Sequence, residues 1–167
     1  MIQLKCSLKG SAKYCRKKKA FRSTDHTQIV NDEEELNDKN ALFYLPFYKG
    51  EAVGFLKVNI DAPLPGMAEN CLELERIYLR KEASGKGIGR ELVQLTLRIA
   101  EKHCKDLVWL KAMDTSEGPI AFYEKMGFRL VGTHRLKHPL MKEELRGMVI
   151  MAKRLKEQKP PSSDAIN

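Results

Sequence analysis

Apolar positions along this chain fall into runs whose spacing changes several times, and the changes mark its elements. Residues 41–47 and 52–60 are apolar or β-branched enough for strands, and Tyr48-Lys49-Gly50-Glu51 between them has hairpin length and a glycine. An antiparallel pair is predicted there. Residues 61–70 carry two prolines and a glycine and read as a loop. In residues 71–79, strict alternation puts Leu72 and Leu74 on one side and Ile77 and Leu79 on the other, so the apolar phase slips by one. Either a β-bulge or a strand buried on both faces accommodates such a slip.

Helical spacing follows. From 87 to 103 the apolar residues form two adjacent rows, Ile88/Leu92/Leu95/Ile99 and Val93/Leu97/Ala100/Cys104, which predicts a helix with a broad buried face. Residues 107–113 are nearly continuous apolar, with Lys111 the exception, as in a strand covered on both sides. Strand, helix and strand in that order imply a parallel unit with a right-handed crossover. Pro119 suits a first helical turn, 120–126 continues it, and Lys125 and Gly127 supply a basic last turn and a C-terminal cap. Residues 128–134 and 147–153 are further strand candidates. Residues 1–6 could form a short strand, whereas 24–40, with its block Asp32-Glu33-Glu34-Glu35, reads as a loop or short exposed helix. The tail after Leu155, with Lys-Pro-Pro-Ser-Ser, reads as flexible.

At 167 residues and 43% apolar, the chain can bury one core and is short for two domains. Its N-terminus lacks the apolar core of a signal peptide, and no stretch approaches the roughly 18 apolar residues of a membrane span. A soluble protein is expected. Cys6, Cys15, Cys71 and Cys104 are scattered without a CxxC pair and read as reduced thiols of the cytoplasm. The formal charge of +8 points to an anionic partner, and residues 5–22 hold eight basic residues and no acidic one. Nucleic acid is the first rival, but Tyr14 and Phe21 are the only aromatics there and no RNA-binding or zinc-knuckle pattern surrounds them. A solvated basic face is the simpler reading. A phosphate-rich cofactor also suits a basic protein.

Candidate chemistry centres on Ser84-Gly85-Lys86-Gly87-Ile88-Gly89-Arg90, between a strand and a helix. Backbone N–H groups and a helix N-terminus make an anion site there, glycine admits the oxyanion closely, and Lys86 or Arg90 adds charge. A P-loop ATPase needs a glycine separated by four residues from its Gly-Lys pair and Ser or Thr after it; here Gly87 follows. A Rossmann site needs glycine or alanine where Arg90 stands. A tight turn without a ligand is the remaining alternative.

This loop resembles the acetyl-CoA-binding motif of the GNAT superfamily, Q/R-x-x-G-x-G/A, with Gly87 and Gly89 as its glycines and Ser84 where Gln or Arg is usual. Ile120-Ala121-Phe122-Tyr123-Glu124-Lys125-Met126-Gly127-Phe128 is similar to the family's helix-and-turn signature. Leu74-Glu75-Arg76-Ile77-Tyr78, Leu56-Lys57-Val58-Asn59-Ile60-Asp61 and Trp109-Leu110 bring the likeness closest to the bacterial PaiA-like branch, which acetylates polyamines. The resemblance covers about residues 41–154. It implies an α/β domain over 1–154, with a mixed central sheet, a bulged fourth strand, parallel strands 4 and 5 splayed around acetyl-CoA, and helices on both faces. Residues 1–40 look shortened and atypically basic where the family carries two helices that help form the acceptor pocket.

The implied activity is N-acetyl transfer from acetyl-CoA, as co-substrate, to a primary amine of a small molecule, by direct attack in a ternary complex. The resemblance implies cofactor contacts from Ile77, Tyr78 and Leu79 of the bulged strand, from Ser84 to Arg90 of the loop, and from Ser116, which stands where the family has an Asn. Tyr123 is implied to protonate the leaving thiolate. A carboxylate must take the ammonium proton, and Glu73 and Glu75 both qualify, alternating onto one strand face opposite Leu72 and Leu74. His134 and His138 have a metal-like spacing without further ligands, and the chemistry needs no metal. Dimers are common in the family, so a homodimer is an open expectation. Two rivals stay open: a non-catalytic acetyl-CoA-binding module whose acceptor pocket is lost, and a basic nucleic-acid-binding protein.

Overall fold

The computed structural model describes residues 2–6, 38–64, 66–67, 70–137 and 142–155. The basic run 5–22, the acidic block 32–35 and the tail after Leu155 lie essentially outside the described residues. Strands β1 (Ile2–Cys6), β2 (Ala41–Tyr48), β4 (Gly54–Asn59), β5 (Cys71–Leu79), β6 (Leu107–Met113), β8 (Gly147–Arg154) and β7 (Arg129–Arg135) follow one another across a single sheet, and the two-residue β3 (Glu51–Ala52) pairs with β2. All neighbours are antiparallel except β5 and β6. Helix α1 (Ile88–Lys102) makes the crossover between those two, and α2 (Glu117–Lys125) joins β6 to β7.

The predicted hairpin is present but tighter than its sequence suggests. Tyr48 pairs with Glu51, leaving Lys49 and Gly50, with φ of 51° and 83°, as a two-residue turn whose positive φ values suit a twisted pair. The second strand is then broken at Val53, because the register slips by one residue between Phe47↔Ala52 and Tyr44↔Leu56. The slip lies opposite Pro46, which has no N–H to give to the ladder, and the Val53 N–H reaches the Pro46 carbonyl at 2.9 Å. With β3 and β4 counted as one interrupted strand, β5 is the fourth strand of the sheet.

Two apolar clusters sandwich the sheet. Leu56, Val58, Leu72, Leu74, Val108 and Leu110 face α1, whose Ile88, Leu92, Val93, Ile99 and Ala100 fill the same cluster, and α2 packs Ile120, Phe122 and Met126 against it. On the other face Leu64 caps Cys71, Leu107 and Trp109. The Trp109 indole N–H donates to the Ala62 carbonyl at 2.8 Å, and the buried Lys105 ammonium ties Asp61 to Asn70 at the loop's two ends. Both described helices thus pack on one face. The expectation of helices on the other face falls on residues outside those described.

Each helix ends in a left-handed cap. After α2, the Gly127 N–H bonds Glu124 O and the Phe128 N–H bonds Tyr123 O, while the Phe128 ring packs edge-on against Tyr123. Phe128, read as the start of a strand, is taken up by this cap, so β7 begins one residue later. After α1 the same pattern occurs, with Cys104 N–H to Glu101 O and Lys105 N–H to Ala100 O. Cys104, at φ 54°, therefore lies beyond the helix and exposed, not in its buried row, and Leu97 is only half-buried. An L-residue in this conformation costs about 1–2 kcal/mol that glycine avoids. Cys104→Gly is expected to stabilise the protein by about 1 kcal/mol, read as a higher urea midpoint at unchanged slope; a lower midpoint would refute this account of the cap.

Candidate active site

The site begins with one surplus residue. In the β4–β5 ladder Lys57 pairs with Arg76 but Val58 pairs with Leu74, so Glu75 is the extra residue of a bulge. The bulge resolves the phase slip read from the sequence, because Ile77 and Leu79 now join Leu72 and Leu74 on the α1 face. Parallel pairing with β6 stops at Leu74↔Leu110, just before the bulge. Beyond this vertex the strands part into a notch, with β5 held by β4 and β6 held by β8.

Backbone direction in the notch follows from one bond. The Arg80 N–H reaches the Val53 carbonyl at 2.9 Å, on the β4 side. Peptide groups alternate along a strand, so the N–H groups of Ile77 and Leu79 point into the notch while that of Tyr78 points toward β4. The Tyr78 carbonyl lies so close to Gly54 that a Cβ there would collide with it, and the Tyr78 ring stacks on Phe55 at 5.9 Å.

At the mouth of the notch lies the glycine loop. Gly85 and Gly87 have φ of 72° and 79°, and a Cβ at either would meet nothing within 4 Å, so the space in front of the loop is open. Gly87 is the N-cap of α1, where a Ser or Asp side chain would ordinarily accept the first helical N–H groups; here no side chain does. The amides of Ile88, Gly89 and Arg90 thus lack intrahelical partners at the positive end of a 15-residue helix. Gly89 does a different job: a Cβ on it would stand 3.5 Å from the Phe122 ring, so it sits where α1 and α2 meet. Ser84, Lys86 and Arg90 are exposed around the loop. Lys86 extends over Tyr48 at 5.6 Å, and Lys49 lies 5.7 Å from the same ring, which gathers positive charge beside the cradle. Open space, converging donors and cations fit a pyrophosphate.

On the opposite face of the sheet, polar side chains alternate with the core residues and converge at the vertex. The Asn59 amide donates to both candidate bases, 3.0 Å to Glu73 Oε2 and 2.8 Å to Glu75 Oε2. Glu75 is further held by Lys57 at 2.6 Å and Arg76 at 2.9 Å, whereas Glu73 has only a longer ion pair, 3.4 Å to Lys111. Burial alone would raise the Glu75 pKa, but Lys57, Asn59 and Arg76 outweigh it and hold the carboxyl below its ordinary 4.5. The two glutamates are therefore not equivalent. Asn59, Lys57 and Lys111 escaped the sequence reading as site residues, although Lys57 and Asn59 at alternate positions of a buried strand, and Lys111 within an apolar one, were its available signals.

Tyr123 lies on the α1 side, between the Phe122 and Phe128 rings at 5.2 and 5.9 Å. Burial pushes its phenol up to about 12, so it stays protonated at neutral pH. Ser116 is the N-cap of α2, half-buried, and its side chain caps nothing. His134 sits on the exposed edge strand β7, and His138 lies outside the described residues. Among the described residues, no helix is long and apolar enough to cross a membrane.

A parallel pair whose pairing stops at Leu74↔Leu110 beside a glycine-capped helix, with a buried tyrosine on the following helix, matches the fold expected from the sequence. The profile of the Acetyltransferase (GNAT) family matches residues 12–128, and the chain belongs to that family. It is 31% identical over 111 residues, 64% of either chain, to an uncharacterized N-acetyltransferase of Lactobacillus delbrueckii subsp. lactis. The chain spans less than two thirds of the length of the curated relatives it matches. In fold it is similar to the ribosomal-protein-S18-alanine N-acetyltransferase of Escherichia coli, at TM-score 0.70 and 16% identity over 96% of this chain and 98% of that one. A GNAT family acetyltransferase from Elizabethkingia anophelis, solved with acetyl-CoA bound, gives TM-score 0.60 and 16% identity over 92% and 98% of the two chains.

Since the Glu75 pKa is lower in the folded than in the unfolded chain, its contribution to stability is present above pH 4.5 and is lost as pH falls through the folded value. Glu75→Gln removes a carboxylate that lies 2.6 Å from the buried Lys57 ammonium and is expected to cost about 3 kcal/mol at pH 7. It should also flatten the acid side of the stability profile. Urea titrations between pH 3 and 7 measure both, and an unchanged acid limb would show that Glu75 is not held ionised by this network.

Proposed function

We propose that the chain is an acetyl-CoA-dependent N-acetyltransferase that acts on a primary amine of a small molecule, by direct attack within a ternary complex. The observation that carries this reading is the notch: pairing of β5 with β6 ends at Leu74↔Leu110, with the Gly87-capped helix on one face of the sheet and the Glu73 carboxylate on the other. Acetyl-CoA, when bound, supplies a thioester whose carbonyl carbon is open to an amine. Amides around Gly87, with Ser84, Gly85, Lys86, Ile88, Gly89 and Arg90, bind its pyrophosphate, and Ser116 lies along the arm's path. The N–H groups of Ile77 and Leu79 donate to the arm and to the developing oxyanion, an arrangement already oriented before reaction.

Glu73 is the better base of the two carboxylates. Glu75 is satisfied by two cations and an amide and is held ionised, which weakens it as a proton acceptor. Glu73 faces one longer cationic contact and keeps lone pairs for an incoming ammonium. Tyr123, protonated and with a hydroxyl that has no hydrogen-bond partner among the described residues, donates its proton to the departing thiolate. Polyamines come first among acceptors because of the PaiA-like motifs, and the cytoplasm is the compartment in which such a reaction fits free thiols.

Isothermal titration of the folded protein with acetyl-CoA tests the reading, with Gly87→Glu as the control that places an anion and a strained side chain in the cradle. Micromolar binding lost in the variant is expected; no binding by the folded wild type overturns the proposal. In an amine screen, Tyr123→Phe is expected to lower kcat by about 100-fold with little change in acetyl-CoA affinity. An unchanged kcat would remove the phenol from the chemistry.

A further inference from the structure

We propose that Lys111 is a self-acetylation site, its amine being held at the vertex of the notch by the Glu73 carboxylate and the Trp109 ring. The inference rests on the acetyl-CoA chemistry proposed above for the same notch. Lys111 is the one charged residue of β6, a strand otherwise drawn into the core, and it immediately follows Leu110, the last residue paired with β5. Its Nζ lies 3.4 Å from Glu73 Oε1 and 5.1 Å from the Trp109 centroid. A primary amine of the chain itself thus stands beside the carboxylate best suited to deprotonate an amine, where the notch begins.

The other described lysines near the site are placed for different work. Lys57 is buried and bound by Glu75 at 2.6 Å, Lys153 donates to the Met126 carbonyl at 2.8 Å, and Lys49 and Lys86 stand at the outer loop over Tyr48. The Lys111 contact is looser. A separation of 3.4 Å marks ionic attraction more than a committed hydrogen bond, and the side chain is 34% exposed, so its amine can move while staying beside Glu73, itself 12% exposed. Confinement of this kind raises the effective concentration of the amine at the vertex above that of any lysine in solution.

In the step, Glu73 takes a proton from the Lys111 ammonium and Nζ bonds to the acetyl carbonyl carbon. The carbon–sulfur bond breaks, and the thiolate leaves as CoA thiol with the Tyr123 proton, which Tyr123 recovers through solvent as the new amide sheds its second proton. The balance is one lysine ammonium and one acetyl-CoA consumed, with acetyl-lysine, CoA thiol and one proton formed. Acetylation abolishes the charge on Lys111, and with it the ion pair to Glu73, which leaves that carboxylate open to an external ammonium.

The test is incubation of the full chain with acetyl-CoA and no added amine, followed by intact mass measurement and peptide mapping, with Lys111→Arg and Glu73→Gln in parallel. Each variant is first checked for folding by circular dichroism and for acetyl-CoA binding by titration. One acetyl group on Lys111 is expected, formed at a fractional rate independent of protein concentration, absent in Lys111→Arg and at least tenfold slower in Glu73→Gln. Binding of acetyl-CoA and turnover of an external amine with Lys111 unmodified would overturn this inference alone. So would acetylation spread over exposed lysines at the rate of the unfolded chain. Failure to bind acetyl-CoA would overturn the proposed function and this inference together.

Discussion

One residue too many in β5 organises the molecule. If Glu75 paired in register, Ile77 and Leu79 would turn away from α1 and Arg76 and Tyr78 would face the core, an arrangement that buries an unpaired guanidinium. The bulge restores the apolar phase, bends the strand, and marks where β5 and β6 cease to pair. Core packing and the opening of the notch are therefore the same event seen from two faces of the sheet.

The two faces then divide the chemistry. On the α1 side lie the open glycine cradle and, within apolar packing, the Tyr123 phenol. On the other lie Lys57, Asn59, Glu73, Glu75 and Lys111, a network in which every carboxylate meets a cation and an amide. Asn59 has a particular place in it, since one amide nitrogen reaches both glutamates and so fixes their spacing. Ions placed this deep are tolerated because they satisfy one another, and the asymmetry of their partners separates a held carboxylate from an available one.

Much of this was legible from residue order. The slip between Leu74 and Ile77 allowed a bulge or a strand buried on both faces, and the ladder has the bulge; the apolar run 107–113 pointed to a covered strand and Gly127 to a helix cap, because each is a local signal with a local cause. Three features were not legible: two depend on what lies across the sheet, and the third is a helix cap that lacks the usual glycine. Val53 breaks its strand because Pro46 is opposite, Cys104 leaves the helix because the cap closes on Ala100 and Glu101, and Asn59 becomes a bridge because two strands meet at it. The choice between Glu73 and Glu75 was likewise undecidable by position, since it turns on which cations reach each carboxylate. Residues 1–40, read as shortened where the family carries two helices, lie largely outside the described residues.

The cap after α2 has a consequence for how the two halves of the site work together. A helix of nine residues is too short to persist alone, so its order comes from the Phe128 amide, from the buried Phe128 ring, and from Lys153 of β8, whose ammonium holds the Met126 carbonyl. Tyr123, whose own carbonyl closes that cap, is tied through it to β8, whereas the glycine cradle caps α1. The phenol and the cradle thus sit on different helices, which touch where Phe122 meets Gly89. Local loosening of that cap alone would be enough to draw the proton donor away from the cradle while the sheet stays folded.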